Sequence, residues 1–297
     1  MAASQNPTAE IGIIGGSGLY QLDMLDDPEL TMPTTPFGEP SGPITVGVLA
    51  GRRVAFLPRH GVGHRLMPSE IPVLANLYAL RALGVRQVFA VSAVGSLSEK
   101  YAPGDLVVPD QIVDRTRGKR PTSFFGSGLV AHVAMADPFC ARLRGDLLAA
   151  ATVVGRVNVA DGGTYCCIEG PRFSTRAESE LYRSWGMGII GMTAVPEAGL
   201  AREASLCYAN LCLVTDYDCW HDSADSVTAE LVADTMRRNV EAAGRVLREA
   251  LAIVDVAADC DCRHALTGAV LTDPAQVTPE TRARLGLLLG DHSELGS

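Results

Sequence analysis

Residues 69–92 read SEIPVLANLYALRALGVRQVFAVS, and this stretch decides the fold class. Leu74, Leu77, Tyr78 and Leu80 recur at helical spacing, which predicts an amphipathic helix over Ser69–Leu83. Pro72 is tolerated only because it sits in the first turn, and Gly84 suits the C-cap. The period then changes. Gln87–Ser92 is a short, continuous apolar run ending on a hydroxyl, the pattern of a strand buried on both faces. A helix stopped by glycine and followed at once by such a strand is half of an α/β repeat.

The alternation continues in both directions. Upstream, residues 11–14 (IGII) predict a first buried strand, and 44–57 a hairpin turning at Gly51. Downstream come a strand over 106–113, a helix over about 138–154 and a strand near Val157 leading into a loop over 163–176. Thr175 and Glu178 form a capping box for a helix ending at Trp185. Strand 188–192, helix 196–207 and strand 208–215 read as a β-α-β unit, and a helix over 227–254 closes the core. The implied fold is α/β, with a mixed central β-sheet flanked by helices on both faces. No linker, charge block or internal repeat divides the chain. The expected organisation is a disordered N-terminus over 1–10, one domain over 11–256 and a peripheral arm over 257–297.

Among the 297 residues, 25 basic against 34 acidic side chains leave a net charge of −9, which argues against nucleic acid or anionic membrane as partner. No apolar run approaches the roughly 20 residues of a membrane span, and no export signal opens the chain, so a cytoplasmic location is expected. Of eight cysteines, Cys140, Cys166, Cys167, Cys207, Cys212 and Cys219 lie mostly in apolar segments and read as reduced core residues. Cys260-x-Cys262 followed by His264 suggests a metal site, a redox or disulfide pair, or an ordinary surface tail; the set is one ligand short and terminal, so it reads as surface tail and no metal is expected.

Four places could carry chemistry. Gly15-Gly16-Ser17-Gly18 follows the first strand and suits close approach of a phosphate, or a simple tight turn. It fails as a dinucleotide fingerprint, because the sixth position counted from Gly16 is Gln21. Arg59-His60-Gly61, with His64 beyond, offers a guanidinium fork and an imidazole to an oxyanion, or a surface Arg and a structural His. Ser92, ahead of Ala93, places a hydroxyl at the end of a strand where open α/β sheets bind ligands. Asp216 and Asp218, two residues apart after an apolar strand, point the same way from an extended backbone, and burial could raise the pKa of one. Their alternatives are a capping turn or a Mg²⁺ site, the latter lacking a third ligand.

Taken together, GGSG, RHG, SAVGSL, DRT at Asp114–Thr116, EGPRFSTRAE, GMTAVPEA and TDYDCW occur in an order that resembles the methylthioadenosine phosphorylases of the trimeric purine nucleoside phosphorylase family, over about Ile11–Val254. The resemblance implies the single-domain nucleoside phosphorylase fold and attack of inorganic phosphate on C1′ of a purine nucleoside. It assigns phosphate to Ser17, Arg59, His60, Ser92, Ala93 and Thr193, with Thr193 bridging to the ribose. It sets Met192 against the ribose, Phe173 on the purine face, and Asp216 and Asp218 at N7 and the 6-amino group, with Asp216, Asp218 and His60 as the catalytic set. Asp216, protonated, would donate to N7. An acidic pair suits a 6-amino donor better than a 6-oxo acceptor, by about 1 to 3 kcal/mol.

Apolar residues around the 5′ position, Val227, Ala229 and Val232, with His132 from a neighbouring subunit of a homotrimer, imply a 5′-methylthio substrate, with 5′-deoxy and 5′-halo groups also fitting. No cofactor is implied, phosphate being a co-substrate. Many adenine-specific members carry Asn where this chain has Gly191, which leaves the strictness of 6-amino selection open. The rivals are a phosphorylase of broader or 6-oxopurine specificity, a nucleosidase that uses water, a nucleotide-sensing module without turnover and, on the glycine turn alone, an NAD-dependent oxidoreductase.

Overall fold

The computed structural model of the chain describes residues 8–16, 25–155, 157–221 and 229–290, the side chains of 229–233 excepted. Its centre is a sheet of eleven strands among the described residues: β1 (Ile11–Gly15), β2 (Asp26–Thr31), β3 (Ile44–Leu49), β4 (Arg52–Pro58), β5 (Gln87–Ser96), β6 (Leu106–Val108), β7 (Gln111–Arg115), β8 (Val159–Asp161), β9 (Thr164–Ile168), β10 (Ile189–Gly191) and β11 (Cys207–Asp216). The helices are α1 (Val73–Ala82), α2 (Ala141–Val154), α3 (Arg176–Ser184), α4 (Ala194–Glu203), α5 (Ala229–Ile253) and α6 (Pro279–Leu289). None of the described helices is long and apolar enough to cross a membrane.

Strands β4, β1, β5 and β11 lie side by side and parallel. Their side chains divide with period two. Ile11, Ile13, Phe89, Val91, Ala209, Leu211 and Leu213 enter one apolar layer, under Leu143 and Leu147 of α2 and Val246, Leu247 and Leu251 of α5. Ile14, Val88, Ala90 and Tyr208 enter the opposite layer, under Leu77 and Leu80 of α1, Leu200 of α4 and Leu285 and Leu288 of α6. Both faces of the sheet are thus covered, as its run of apolar residues predicts.

The structure departs from the sequence reading in four places. The expected single strand 106–113 is two: Pro109 and Asp110 interrupt it, so β6 pairs with β11 while β7 pairs with β9. Part of the expected loop 163–176 is β9, whose Tyr165, Cys166 and Cys167 are buried. The strands on either side of α4 do not form a parallel unit, since β10 runs antiparallel to β5 and β11 parallel to it. Edge strand β2, DDPELT, has no apolar run and takes its register from β3.

Within the N-terminal segment, residues 1–7 lie outside the described residues, and Ala9 is buried and bonded to Leu83 O at 2.9 Å. Beyond residue 257 the chain packs Leu266, Val277 and Leu285 into the layer of α1, and Cys262 into the layer of α2.

Candidate active site

The C-terminal ends of β1, β4, β5, β9, β10 and β11 converge on a cavity of about 390 Å³ lined by both polar and apolar residues. Arg59, His60, Ser92, Ala93, Phe173, Met192, Thr193, Asp216 and Asp218 all face it, from sequence positions spread over 160 residues. Ser17 and Val227 lie outside the described residues, as do the side chains of Ala229 and Val232, although Met236, one turn beyond Val232 on α5, lines the cavity. His132 is absent from the lining; it sits exposed on an edge segment where its backbone N–H donates to Ala269 O at 2.9 Å.

One end of the cavity is built around Arg59, which is 1 % exposed. Its Nε and Nη2 donate to Glu197 Oε2 and Oε1, both at 2.8 Å, and Nη1 donates to Val91 O at 2.7 Å. Tyr208 donates its hydroxyl to Glu197 Oε1 at 2.7 Å. Burial alone would disfavour the guanidinium charge, but attraction and hydrogen bonding from Glu197 raise its pKa further. Three of five N–H donors are engaged, which leaves two for a ligand. The positive charge is already balanced by Glu197, so an anion here is held by directed hydrogen bonds more than by net charge. Gly16 permits the arrangement: a Cβ there would stand 2.7 Å from Val91 O and 3.0 Å from Arg59 Nη1.

Beside Arg59, the Ser92 and Thr193 hydroxyls lie 3.2 Å apart, and Asn210 Nδ2 donates to Ser92 Oγ at 3.2 Å. Thr193 is the N-cap of α4 with no hydrogen bond from its side chain to the helix backbone. His60 stacks on His64 with ring centroids 4.3 Å apart, and its Nδ1 lies 2.9 Å from Leu66 O. Burial, with Arg59 and His64 adding to it, pushes His60 down to about 4, so the ring is neutral at pH 7. A neutral ring that donates from Nδ1 to a carbonyl presents Nε2 only as an acceptor. His60 therefore suits a protonated phosphate oxygen or a sugar hydroxyl, not a bare oxyanion.

At the other end stand the two carboxylates. The register of β11 against β5 shifts between Val214 and Asp216, a bulge that turns Asp216 into the cavity. Asp218 has φ 51, so the pair converges through a turn and not, as its spacing suggests, through an extended backbone. Asp216 Oδ2 accepts from Thr215 Oγ1 at 2.7 Å and Oδ1 from Asp218 N at 2.8 Å. Burial pushes the Asp218 carboxyl up, with the Asp216 charge adding to it and the Ser179 hydroxyl offsetting part. Burial therefore favours a proton on Asp218, whereas the resemblance puts it on Asp216. Phe173 stands at the mouth, 79 % exposed.

Several residues that shape the site escaped the sequence reading. Glu197 and Tyr208 orient Arg59; an acidic residue inside the apolar helix AVPEAGLARE is the one local sign that a buried cation is needed. Arg120, 6 % exposed, donates to Met192 O, Val195 O and Glu169 O, each at 2.6 Å, and ties the end of β9 to that of β10. Tyr165 explains why position 191 is glycine: a Cβ there would lie 2.0 Å from its hydroxyl, so Tyr165 fills the volume of a side chain at 191, beside Thr193.

Comparison with known proteins agrees over nearly the whole chain. The model of the phosphorylase superfamily matches residues 10–252. The S-methyl-5'-thioadenosine phosphorylase of Geobacter sulfurreducens is 50% identical over 282 residues, 95% of this chain and 98% of that one. The enzyme of the same name from Chloroflexus aurantiacus is 53% identical over 283 residues, again 95% of this chain and 98% of that one. Among solved structures, a methylthioadenosine phosphorylase from an antarctic soil metagenomic library superposes with a TM-score of 0.90 at 48% identity, over 95% of this chain and 99% of that one. A mutant of the adenosine/methylthioadenosine phosphorylase of Schistosoma mansoni, in complex with methylthioadenosine, gives 0.79 at 35% identity, over 97% of this chain and all of that one.

Proposed function

The chain belongs to the phosphorylase superfamily, and from that premise we propose that it is a pentosyltransferase that cleaves 5'-methylthioadenosine with inorganic phosphate, releasing adenine and the 5-methylthiopentose 1-phosphate. The observation that carries this reading is one cavity with a buried, hydrogen-bonding end around Arg59 and a pair of carboxyl groups at the other. A nucleoside laid between them has its C1′ facing one and its base facing the other.

Phosphate binds through the two remaining Arg59 N–H groups, the Ser92 and Thr193 hydroxyls and the backbone at Ala93, with Ser17 supplied from the glycine turn. His60 Nε2 accepts from a protonated phosphate oxygen. Bond cleavage develops positive charge on the sugar and negative charge on the purine. A dianion fixed below C1′ stabilises the first, and a proton delivered from the Asp216–Asp218 pair to N7 stabilises the second. The carboxylate that is left accepts from the 6-amino group. Preorganised positioning replaces a covalent nucleophile. Met192 supports the ribose, Phe173 closes over the purine, and Met236 extends the apolar wall toward the 5′ substituent. The 5′ pocket is completed by His132 of the neighbouring subunit in a homotrimer. No cofactor or metal enters the reaction, which takes place in the cytoplasm.

The test is a substrate panel varying only the 5′ group and the 6 position in saturating phosphate. The 5′-methylthio, 6-amino compound should exceed its 6-oxo counterpart in kcat/KM by about tenfold or more, the cost of facing a buried acceptor with a carbonyl. Equal rates for the two would remove the 6-amino assignment, and preference for a 5′-hydroxyl would remove the apolar 5′ pocket.

A further inference from the structure

At the far end of β11 from the active site, about 30 Å away at roughly 3.3 Å per residue, a second cluster forms. The sulfur atoms of Cys140, Cys207, Cys260 and Cys262 all lie within 4.8 Å of one another, and Cys140 Sγ and Cys260 Sγ are 3.6 Å apart. Sequence reading finds only the Cys260-x-Cys262 pair and one nearby histidine. The fold replaces that histidine with two thiols: Cys140 is the N-cap of α2 and Cys207 opens β11. His264 turns away, exposed, to Asp259 Oδ1 at 2.8 Å.

Four sulfur ligands around zinc at about 2.3 Å stand about 3.8 Å apart at the corners of a tetrahedron, which is the scale of this cluster. Three of the four cysteines are buried, amid the apolar layer of α2 and α5, where solvent would not compete for the metal. A zinc tetrathiolate carries a net charge of −2 and needs compensation. Arg142 Nη2 lies 3.9 Å from Cys207 Sγ, and Arg202 acts electrostatically on Cys262. Cys140 further sits where the N–H groups of α2 begin.

We propose that Cys140, Cys207, Cys260 and Cys262 form a structural site for one soft divalent cation, zinc, that fastens the arm beyond residue 257 to the core. On binding, each thiol still protonated releases its proton to solvent and no electrons move. The consequence reaches past the cluster. The arm holds the segment 126–132 through Leu271 N to Val130 O at 2.9 Å, His132 N to Ala269 O at 2.9 Å and Thr281 Oγ1 to Ser127 O at 3.0 Å. Anchoring Cys260 and Cys262 therefore anchors the segment that carries His132.

The full chain, purified without chelator, should contain one zinc per chain by elemental mass spectrometry. After chelation under reducing conditions it should take up one Co²⁺ with the visible absorption of a tetrahedral thiolate complex, and its thermal midpoint should fall on metal removal and return with zinc. Cys262→Ser should lose at least nine-tenths of the bound metal, while His264→Ala keeps one per chain. A fully reduced wild-type chain that takes up neither zinc nor cobalt overturns the proposal. Undiminished uptake by Cys262→Ser overturns it equally, and the cobalt titration of the wild-type chain decides even if that variant fails to fold.

Discussion

The two ends of the active-site cavity are built on opposite principles. Around Arg59 every partner is fixed: the guanidinium is 1 % exposed, bidentate to Glu197 and bonded to Val91 O, with Tyr208 behind. Around Asp216 and Asp218 the backbone bulges, one residue adopts a positive φ, and Phe173 is 79 % exposed. The contrast follows the chemistry. An anion that must be held in one place calls for donors already in place, whereas a base that enters, takes a proton and leaves calls for a proton that can move and a mouth that can open.

The largest effect should come from breaking the fixed end. Arg59→Ala strands Glu197 as an unpaired buried charge, so stability in denaturant titration should fall by about 3 to 5 kcal/mol. The phosphate KM should rise on the order of 10²-fold. Removing Glu197 as well should restore part of the stability but none of the phosphate affinity. An unchanged phosphate KM in Arg59→Ala would detach the guanidinium from the anion.

At the movable end, Asp216→Asn and Asp218→Asn should each lower turnover of 6-aminopurine nucleosides by roughly 10²- to 10⁴-fold, the usual range for a lost proton donor. The phosphate KM should stay within a small factor of wild type. Equal losses in both parameters would mean that the two ends are not separate. Phe173→Ala should raise the nucleoside KM about three- to tenfold, for a stacking contribution of about 0.5 to 1.5 kcal/mol, again without affecting phosphate. No change would leave the ring an exposed surface residue.

A further effect is a pH dependence of stability. His60 binds a proton only near pH 4 in the folded chain and near 6.5 when unfolded, so between those values the unfolded state holds more protons. Stability should therefore decline as pH falls from 6.5 toward 4, and His60→Gln should flatten that slope. Asp218, raised by burial, acts in the opposite sense. A slope unaltered by the substitution would show His60 to be as open to protonation in the fold as out of it.

How far the sequence carries follows from what is local. Strands β1, β5 and β11 announce themselves as apolar runs because both their faces are buried, and α3 because its capping box, Thr175 with Glu178, is written within four residues. Strand β9 is hidden by the glycines that bracket it, at 162–163 and 170, and β2 by its charge. Most of the cavity lining is legible because the segments that carry it follow the ends of strands, Met236 on α5 being an exception. The partners behind the lining were not. Glu197 finds Arg59 across 138 residues, and Arg120 finds Met192 across 72. Cys140 meets Cys260 across 120. No periodicity records such pairings; they exist only once the sheet order is set.

The most direct test of the account is the release of adenine from 5'-methylthioadenosine, followed with and without inorganic phosphate. If Arg59, Ser92 and Thr193 hold the attacking group, release should require phosphate, rise to saturation with it and yield the pentose 1-phosphate in equal amount. Adenine released at full rate in phosphate-free buffer, with free methylthiopentose as the other product, would contradict it.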